Sequence, residues 1–300
     1  MSESSIPVDV FNPGQVFACL GFIEAAEILL GNAEGVFDWS DVLDVRFRIR
    51  ARGDASPIAH VLEFLAGAEV YGEAPANSPN LDAWSDSWGT LLPRPRDAGY
   101  PFPDPASPAT VVCVLRNGAR SLAIDHWGDG GDKTGRDNAK FWAGAAGYPG
   151  VALTRDALDL VRDRLAASTT NPFALGVPQS SSFRLDWRRD YIPIDAGFSL
   201  NVHAGRIESV GFPIVELLGA IGLTNARPRR ADRRNKLDYR YGIVGRSSAT
   251  DLWLPASLLR AALGTTPLPF PTRWFRMLLG WPGKEGQARA ITTVTEETDQ

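Results

Sequence analysis

The strongest concentration of positive charge in the sequence lies at 227–240, where seven cationic residues stand against two aspartates. Each cation that neutralises a phosphate releases counterions, so such a stretch can bind nucleic acid of any base sequence. Tyr239 and Tyr241 lie at its end, and tyrosine rings can stack on bases. The stretch falls between a predicted helix and a predicted strand, which indicates an exposed loop; a loop that serves only solubility is the alternative. Its candidate phosphate contacts are Arg229, Arg230, Arg233, Arg234 and Lys236.

A second set of arginines alternates with apolar residues over 45–52, and this period of two predicts a strand with four guanidinium groups on one face. These arginines are Arg46, Arg48, Arg50 and Arg52. The first 45 residues hold eight acidic residues and no lysine or arginine. We therefore expect the four arginines to pair with N-terminal carboxylates; a second nucleic-acid-binding face is the alternative.

The loop at 125–137 is rich in aspartate and glycine and offers two further chemistries. It ends in Lys133-Thr134, as a phosphate loop does, but Asp132 and Trp127 occupy the positions where a phosphate loop needs glycine. Its carboxylates suit a hard cation, yet their spacing does not match an EF-hand calcium loop. A solvated glycine-rich loop is therefore favoured. A small metal-dependent hydrolase stays open as a different class of function; its residues would be Asp125, His126, Asp129 and Asp132.

Elsewhere the sequence lacks the residues that catalytic and metal-binding motifs need. Three histidines and two cysteines occur at no recognised zinc spacing, and neither G-x-S-x-G nor H-E-x-x-H is present. We therefore expect a protein that is not an enzyme, with no metal and no cofactor. The aspartate-rich loop and the residues after it also carry a weaker set of candidate nucleic-acid contacts, Lys133, Arg136 and Lys140.

The elements that must position these residues are mostly strands joined by short turns. Asn117-Gly118 is a strong turn signal between the apolar runs 110–116 and 119–125, and Asn12-Pro13 is typical of a helix start. The other predicted strands are 45–52, 198–202, 206–210, 236–245, 251–254 and 288–295, and the predicted helices are 13–30, 58–65, 154–167, 213–223 and 256–263. Strand following strand predicts an α+β fold with mostly antiparallel sheets and packed helices. A ferredoxin-like (RRM/RAMP-type) core with an inserted proline-rich loop is one such arrangement.

Proline suggests how the chain is divided. Residues 75–108 contain eight prolines, a composition that opposes both helix and sheet and predicts an exposed loop or a linker. We therefore expect an N-terminal α+β segment at 1–74, the proline-rich segment at 75–108 and a C-terminal α+β segment at 109–300. In the alternative, 1–74 and 109–300 form one domain.

Composition excludes several protein classes. With 44% hydrophobic and 22% charged residues, the chain has the ordinary mix of a globular protein. The apolar stretch from Val10 to Ile23 is too short to cross a bilayer, which needs about 20 apolar residues, and the start lacks the basic residues of a secretory signal. Cys19 and Cys113 lie in apolar runs and are typical of reduced core thiols. We expect a cytoplasmic protein that does not contact a membrane.

Several motifs follow one another in a recognisable order. The pattern N-P-G-x-x-x-A-x-L-G-x-x-E-A opens the first predicted helix at 12–25, and a D-x-W strand end and a K-x-W-A-G motif flank the loop at 125–144. The later segments are SFRLDWRRDYIPIDAGFSLN (182–201), VGFPIVELLGAIGLTNARPRR (210–230) and KLDYRYGIVG (236–245). In this order they resemble the large-subunit-type protein of type I-U CRISPR RNA-guided effector complexes (the Dpsyc group, type I-G-like). His126 within D-x-W and Phe141 within K-x-W-A-G are mild departures from that pattern.

The resemblance implies a non-catalytic subunit of a Cascade-like surveillance complex in antiviral defence. Such a subunit binds the guide RNA (crRNA), the target DNA near the protospacer-adjacent motif, or both, and supports recruitment of a helicase-nuclease. Base pairing supplies sequence specificity, and the protein supplies shape, charge and short-motif recognition. The expected partners are therefore other CRISPR effector subunits, crRNA, target double-stranded DNA and the helicase-nuclease. A guide-RNA-binding backbone or foot subunit of the same complex is the alternative.

Overall fold

The computed structural model describes residues 1–81, 93–96, 101–102, 105, 110–125, 149–179, 182–190, 210–232, 234–247, 251–280 and 289–297. Its fold is α+β, as predicted. The helices are α1 (Pro13–Leu29), α2 (Pro57–Ala66), α3 (Gly150–Asp159), α4 (Pro213–Asn225) and α5 (Ala256–Leu263). The strands are β1 (Ser2–Pro7), β2 (Glu34–Asp38), β3 (Arg46–Ala51), β4 (Glu69–Pro75), β5 (Arg94–Arg96), β6 (Val112–Asn117), β7 (Arg120–Ile124), β8 (Val177–Pro178), β9 (Val210–Gly211), β10 (Arg229–Asp232), β11 (Asn235–Arg246), β12 (Leu254–Pro255), β13 (Thr272–Gly280) and β14 (Ala290–Glu297).

The largest sheet has the strand order β1–β3–β2–β11–β13–β14, with β10 beside β11 and β12 beside β2. Its strand pairs are antiparallel except β2 with β11. A second sheet has the order β5–β4–β6–β7, in which β4 and β5 are parallel, and β8 pairs with β9. The sheets are therefore mostly antiparallel, as predicted, while a ferredoxin-like core stays a prediction.

Helix α1 lies in the middle of the core, and Asn12 caps its first turn as the Asn-Pro start predicts. It packs closely against α4: a β-carbon at Gly21 would lie 2.0 Å from the Leu218 carbonyl oxygen, and one at Gly222 would lie 2.2 Å from the Phe17 carbonyl oxygen. Only glycine permits so close an approach of two backbones. From this pair of helices, the Phe17 ring of α1 contacts the Tyr241 ring on the inner face of β11, with 6.1 Å between centroids.

Several local predictions are confirmed. The hairpin of β6 and β7 turns at Gly118, which has a φ of +58°, and α5 begins and ends where the apolar periodicity predicts. Strand β4 precedes the proline-rich segment and pairs antiparallel with β6, which follows it. Parts of the two predicted α+β segments therefore share one sheet.

The structure corrects the predictions at four places. Arg229–Asp232 is strand β10 rather than loop, because its backbone pairs with β11. Arg94–Arg96 is strand β5 despite Pro95, because an edge strand tolerates a residue without an N–H. The helix predicted at 154–167 is α3 followed by a 3₁₀ segment at Arg162–Ala167, and of the strand predicted at 251–254 only the end, Leu254–Pro255, pairs with β2. The strand predicted at 198–202 and nearly all of that at 206–210 lie outside the described residues.

Both cysteines are buried and form no disulfide in the described structure, as predicted, and burial raises the pKa of the Cys19 thiol. Within the part of the chain that the structure describes, no helix is long and apolar enough to span a membrane.

Candidate nucleic-acid interface

The basic stretch folds into a tight hairpin of β10 and β11. Asp232 pairs with Asn235 at the end of the ladder, so two residues connect the strands. The Asp232 carboxylate accepts the N–H of Arg234 at 2.9 Å, and the Asn235 side chain accepts the N–H of Leu237 at 3.0 Å. Aspartate and asparagine favour such turns because their side chains bond the backbone two residues on. The turn therefore places Arg234 at the tip of a defined strand pair.

The predicted phosphate contacts differ in exposure and in the side of the strand on which they lie, and several of them are outside the described residues. Arg229 and Arg234 are exposed, and within the described ranges neither side chain has an ion pair. Arg230 points to the other side of β10, opposite Tyr239, and is half-buried with its Nε out of solvent. Lys236 lies in β11, with its side chain outside the described part. Arg233, Lys133, Arg136 and Lys140 lie outside the described residues.

The two tyrosines predicted to stack on bases belong to the core instead. Tyr239 and Tyr241 are 3% and 0% exposed. The Tyr241 hydroxyl donates to the Val10 carbonyl oxygen at 2.8 Å, and its ring stacks on Phe275 with 5.1 Å between centroids. Burial raises the pKa of this hydroxyl well above its usual range. The prediction is wrong because alternation along β11 places both rings on its inner face.

The other described arginines of β11 and β13 that lie nearest the hairpin have carboxylate partners. Arg240 lies 3.0 Å from Glu297, and Arg276 lies 2.6 Å from the buried carboxylate of Asp238. These hydrogen bonds favour the charged guanidinium, and the Asp238 carboxylate raises the pKa of Arg276. Arg229 and Arg234 therefore differ from these two arginines, since within the described ranges they have no carboxylate partner.

Of the four arginines at 46–52, the three on β3 pair with N-terminal carboxylates, as predicted, whereas for Arg52 the prediction is wrong within the described segments. Arg48 pairs with Glu3 and lies 3.7 Å from Asp38, and Arg50 lies 2.6 Å from Glu34. The guanidinium groups of Arg48 and Arg50 also lie 5.0 and 4.6 Å from the centre of the Trp253 ring, within cation–π range. Arg46 contacts Asp44 at 3.3 Å. Arg52 follows the strand and is exposed, and no ion pair involves it in the described segments.

A cleft of about 730 Å³ lies away from the hairpin. Its two arginines are already engaged, Arg188 with Asp186 at 2.5 Å and Arg273 with Glu296 at 2.6 Å. Burial raises the pKa of Asp9, which also lines the cleft. A cleft whose cations are neutralised internally offers less to phosphate than the hairpin does.

Two residues near the hairpin were missed by the sequence analysis because β13 was not among the predicted strands. Trp274 and Arg276 alternate there with the buried Phe275, Met277 and Leu279. That alternation is the period-two signal of a half-buried strand and could have revealed β13.

Among the described residues, no group of three His, Cys, Asp or Glu side chains could hold a metal ion. Of the aspartate-rich loop only Asp125 is described, at the end of β7; the other candidate residues of a hydrolase lie outside the described ranges. Comparisons with protein-family models, curated proteins and solved structures give no match.

Proposed function

We propose that this chain is a non-catalytic, nucleic-acid-binding subunit of a type I-U CRISPR RNA-guided surveillance complex, and that its β10–β11 hairpin contacts the phosphate backbone. The observation that carries the proposal is that Arg229 and Arg234 are exposed and have no carboxylate partner in the described ranges. A guanidinium group presents a planar fork of donors that suits phosphate oxygens. Arg229 begins β10 opposite Arg240, and Arg234 lies in the turn that follows β10, so two such groups on one hairpin give affinity without sequence choice.

The assignment to an effector complex rests on the resemblance of the ordered segments. In this proposal the partners are other effector subunits, crRNA, target double-stranded DNA near the protospacer-adjacent motif and a helicase-nuclease, all in the cytoplasm. Base pairing by the guide supplies specificity, so the protein needs charge and shape rather than a reading of every base.

The hairpin is tested by the double variant Arg229→Ala/Arg234→Ala in a titration of a fluorescent single-stranded RNA at several salt concentrations. We expect affinity to fall about ten-fold, because hydrogen bonds to charged groups contribute about 1.5–3 kcal/mol each when well made and less when exposed. The slope of log affinity against log salt should flatten by about 0.7 for each lost phosphate contact. An unchanged slope would remove the hairpin from the interface.

A charge-matched control is the variant Arg116→Ala/Arg164→Ala, which removes two exposed arginines from β6 and from the 3₁₀ segment at Arg162–Ala167. It changes the net charge by the same amount, so an effect of total charge alone would appear equally in both variants. We expect the control to keep the affinity and the salt slope of the unmodified protein.

The assembly is tested by affinity purification of the tagged chain from cells that express the neighbouring genes and a CRISPR array. Recovery of other effector subunits in fixed proportion, with a processed guide RNA, is the expected result. Recovery of the chain without RNA or effector subunits would contradict the assembly. The hairpin variant would then test only whether the chain itself binds nucleic acid.

A further inference from the structure

Three arginines form a straight row across neighbouring strands. In the register of the sheet, Arg229 of β10 lies directly opposite Arg240 of β11, which lies directly opposite Arg276 of β13. All three are exposed. Neighbouring strands lie about 4.8 Å apart, so the row is about 10 Å long. The face that carries it is named here the outer face, opposite the side that holds Tyr239 and Tyr241.

This row carries more positive than negative charge. Like charges directly opposite each other destabilise a sheet, and the ion pairs of the row bring two carboxylates, Glu297 and Asp238, to three guanidinium groups. Arg229 adds its charge beside Arg240 without an ion pair in the described ranges. A local arrangement that costs stability and is only partly compensated is expected at a functional site. The row is therefore complementary to a line of phosphates.

An aromatic ring lies on the same face. Trp274 precedes Arg276 by two residues on β13, so both side chains leave the sheet on one side. It faces Gly242 of β11, where a β-carbon would lie only 2.4 Å from the indole Cζ3. The absent side chain lets the half-exposed indole lie against the strand backbone. This gives the outer face a ring on which a planar group could stack, which the buried tyrosines do not provide.

We propose that the outer face binds single-stranded nucleic acid, with phosphates along Arg229, Arg240 and Arg276 and an unpaired base on Trp274. Base faces are accessible on a single strand and hidden inside a duplex, and base–aromatic stacking is tolerant of sequence. The inference rests on the proposed function, because Arg229 belongs both to the hairpin and to the row. The inference adds that the nucleic acid is single-stranded and that it lies along the outer face.

Glu297 occupies part of this path. It lies directly opposite Trp274 on β14, and its carboxylate accepts from Arg240 across β13. A bound strand displaces this carboxylate and takes over the guanidinium of Arg240. Removing the charge of Glu297 therefore favours binding, whereas loss of a purely structural ion pair would not.

The test uses the full chain and three labelled oligonucleotides of one sequence: single-stranded RNA, single-stranded DNA and the DNA duplex. For Trp274→Leu, we expect affinity for both single strands to fall about ten-fold, since one stacked base contributes about 1–3 kcal/mol, while duplex affinity stays unchanged. Trp274→Phe keeps a ring and should retain most of the affinity. Glu297→Gln should tighten single-strand binding about three-fold.

Each result bears on one claim. Equal effects of Trp274→Leu on single strands and duplex, or no effect on either, overturn the single-strand platform even when the hairpin variant Arg229→Ala/Arg234→Ala still lowers affinity. No effect of that hairpin variant on any oligonucleotide overturns the proposed function instead. Should Trp274→Leu fail to fold, Glu297→Gln decides, because weaker or unchanged single-strand binding by this variant contradicts the platform.

Discussion

Strand β3 and the β10–β11 hairpin both carry several arginines, and both were candidates for binding nucleic acid. In β3, Arg48 and Arg50 have carboxylates and the ring of Trp253 around them. At the hairpin, Arg229 and Arg234 have no ion pair within the described residues. The same residue type therefore forms ion pairs within the sheet in one region and, among the described residues, is exposed without an ion pair in the other.

The difference comes from partners far away in the chain. Glu3, which pairs with Arg48, lies on β1, and Asp38 at the end of β2 pairs with both Arg48 and Arg246. The sheet brings these carboxylates to β3 by its strand order, and Asp38 also reaches Arg246 at the end of β11, while neither carboxylate pairs with Arg229 or Arg234. A run of arginines in the sequence thus indicates a possible positively charged surface. Whether these arginines form ion pairs or stay exposed depends on where the fold places the carboxylates.

The largest expected effect is on stability, at the carboxylate that neutralises two arginines. In Asp38→Asn, the amide keeps an oxygen for the hydrogen bonds from Ser40 but loses the charge that holds Arg48 and Arg246. Because this carboxylate is 13% exposed, we expect the free energy of unfolding to fall by about 2 kcal/mol. Urea unfolding measures the change.

The matched control is Asp232→Asn, at an exposed aspartate of the hairpin that also keeps its acceptor for a backbone N–H. It should cost less than about 0.5 kcal/mol. Equal costs of the two substitutions would mean that neutralisation does not distinguish β3 from the hairpin, and the comparison would fail.

The part of this comparison that the sequence could predict is the part set by local periodicity. The alternation of arginine with Val45, Phe47 and Ile49 is enough to place β3, and the absence of cations before residue 46 is enough to predict pairing with carboxylates. Asn117-Gly118 likewise determines a turn from two residues. Each of these patterns depends on neighbours in the chain, so no knowledge of the fold is needed.

The candidate site depends on contacts that the chain makes at a distance. Nothing local places Arg229 opposite Arg240, or Arg240 opposite Arg276, because cross-strand register follows from which strands meet. Tyrosine occurs on both the buried and the exposed face of a strand, so residue type alone does not orient Tyr241. Its ring lies on the inner face, where it contacts Phe17 of α1. The sequence could therefore indicate the charge of the interface but not its row of arginines or its aromatic ring.

A smaller effect should follow from placing a carboxylate where the row has none. Thr295 is exposed and lies directly opposite Arg276 on β14, so Thr295→Glu adds a charge that competes with phosphate. We expect affinity for single-stranded RNA to fall about three- to five-fold, with a salt slope flatter by about 0.7. Fluorescence anisotropy at several salt concentrations measures both.

Ser121→Glu is the control for this substitution, because Ser121 is exposed on β7 of the second sheet. It adds the same charge to the protein away from the row. If Ser121→Glu weakened binding as much as Thr295→Glu, total charge rather than the arginine row would govern affinity.

The smallest expected effect concerns the pH dependence of a neutralised pair beside the cleft. Hydrogen bonds from Arg273 hold the pKa of Glu296 below its ordinary value of 4.5. A carboxylate with a lowered pKa in the folded state stabilises it above the unfolded pKa and loses this contribution as the pH falls through the folded pKa. At pH 7, Glu296→Gln should therefore lower the free energy of unfolding by about 0.5 kcal/mol, the range of exposed ion pairs. The difference from the unmodified protein should vanish in strong acid.

In an Arg273→Gln background the same substitution should show no such pH dependence, as urea unfolding across pH would measure. A difference that persisted below the folded pKa would mean that Glu296 stabilises the sheet by packing, and Arg273 would then be as available to phosphate as the arginines of the hairpin.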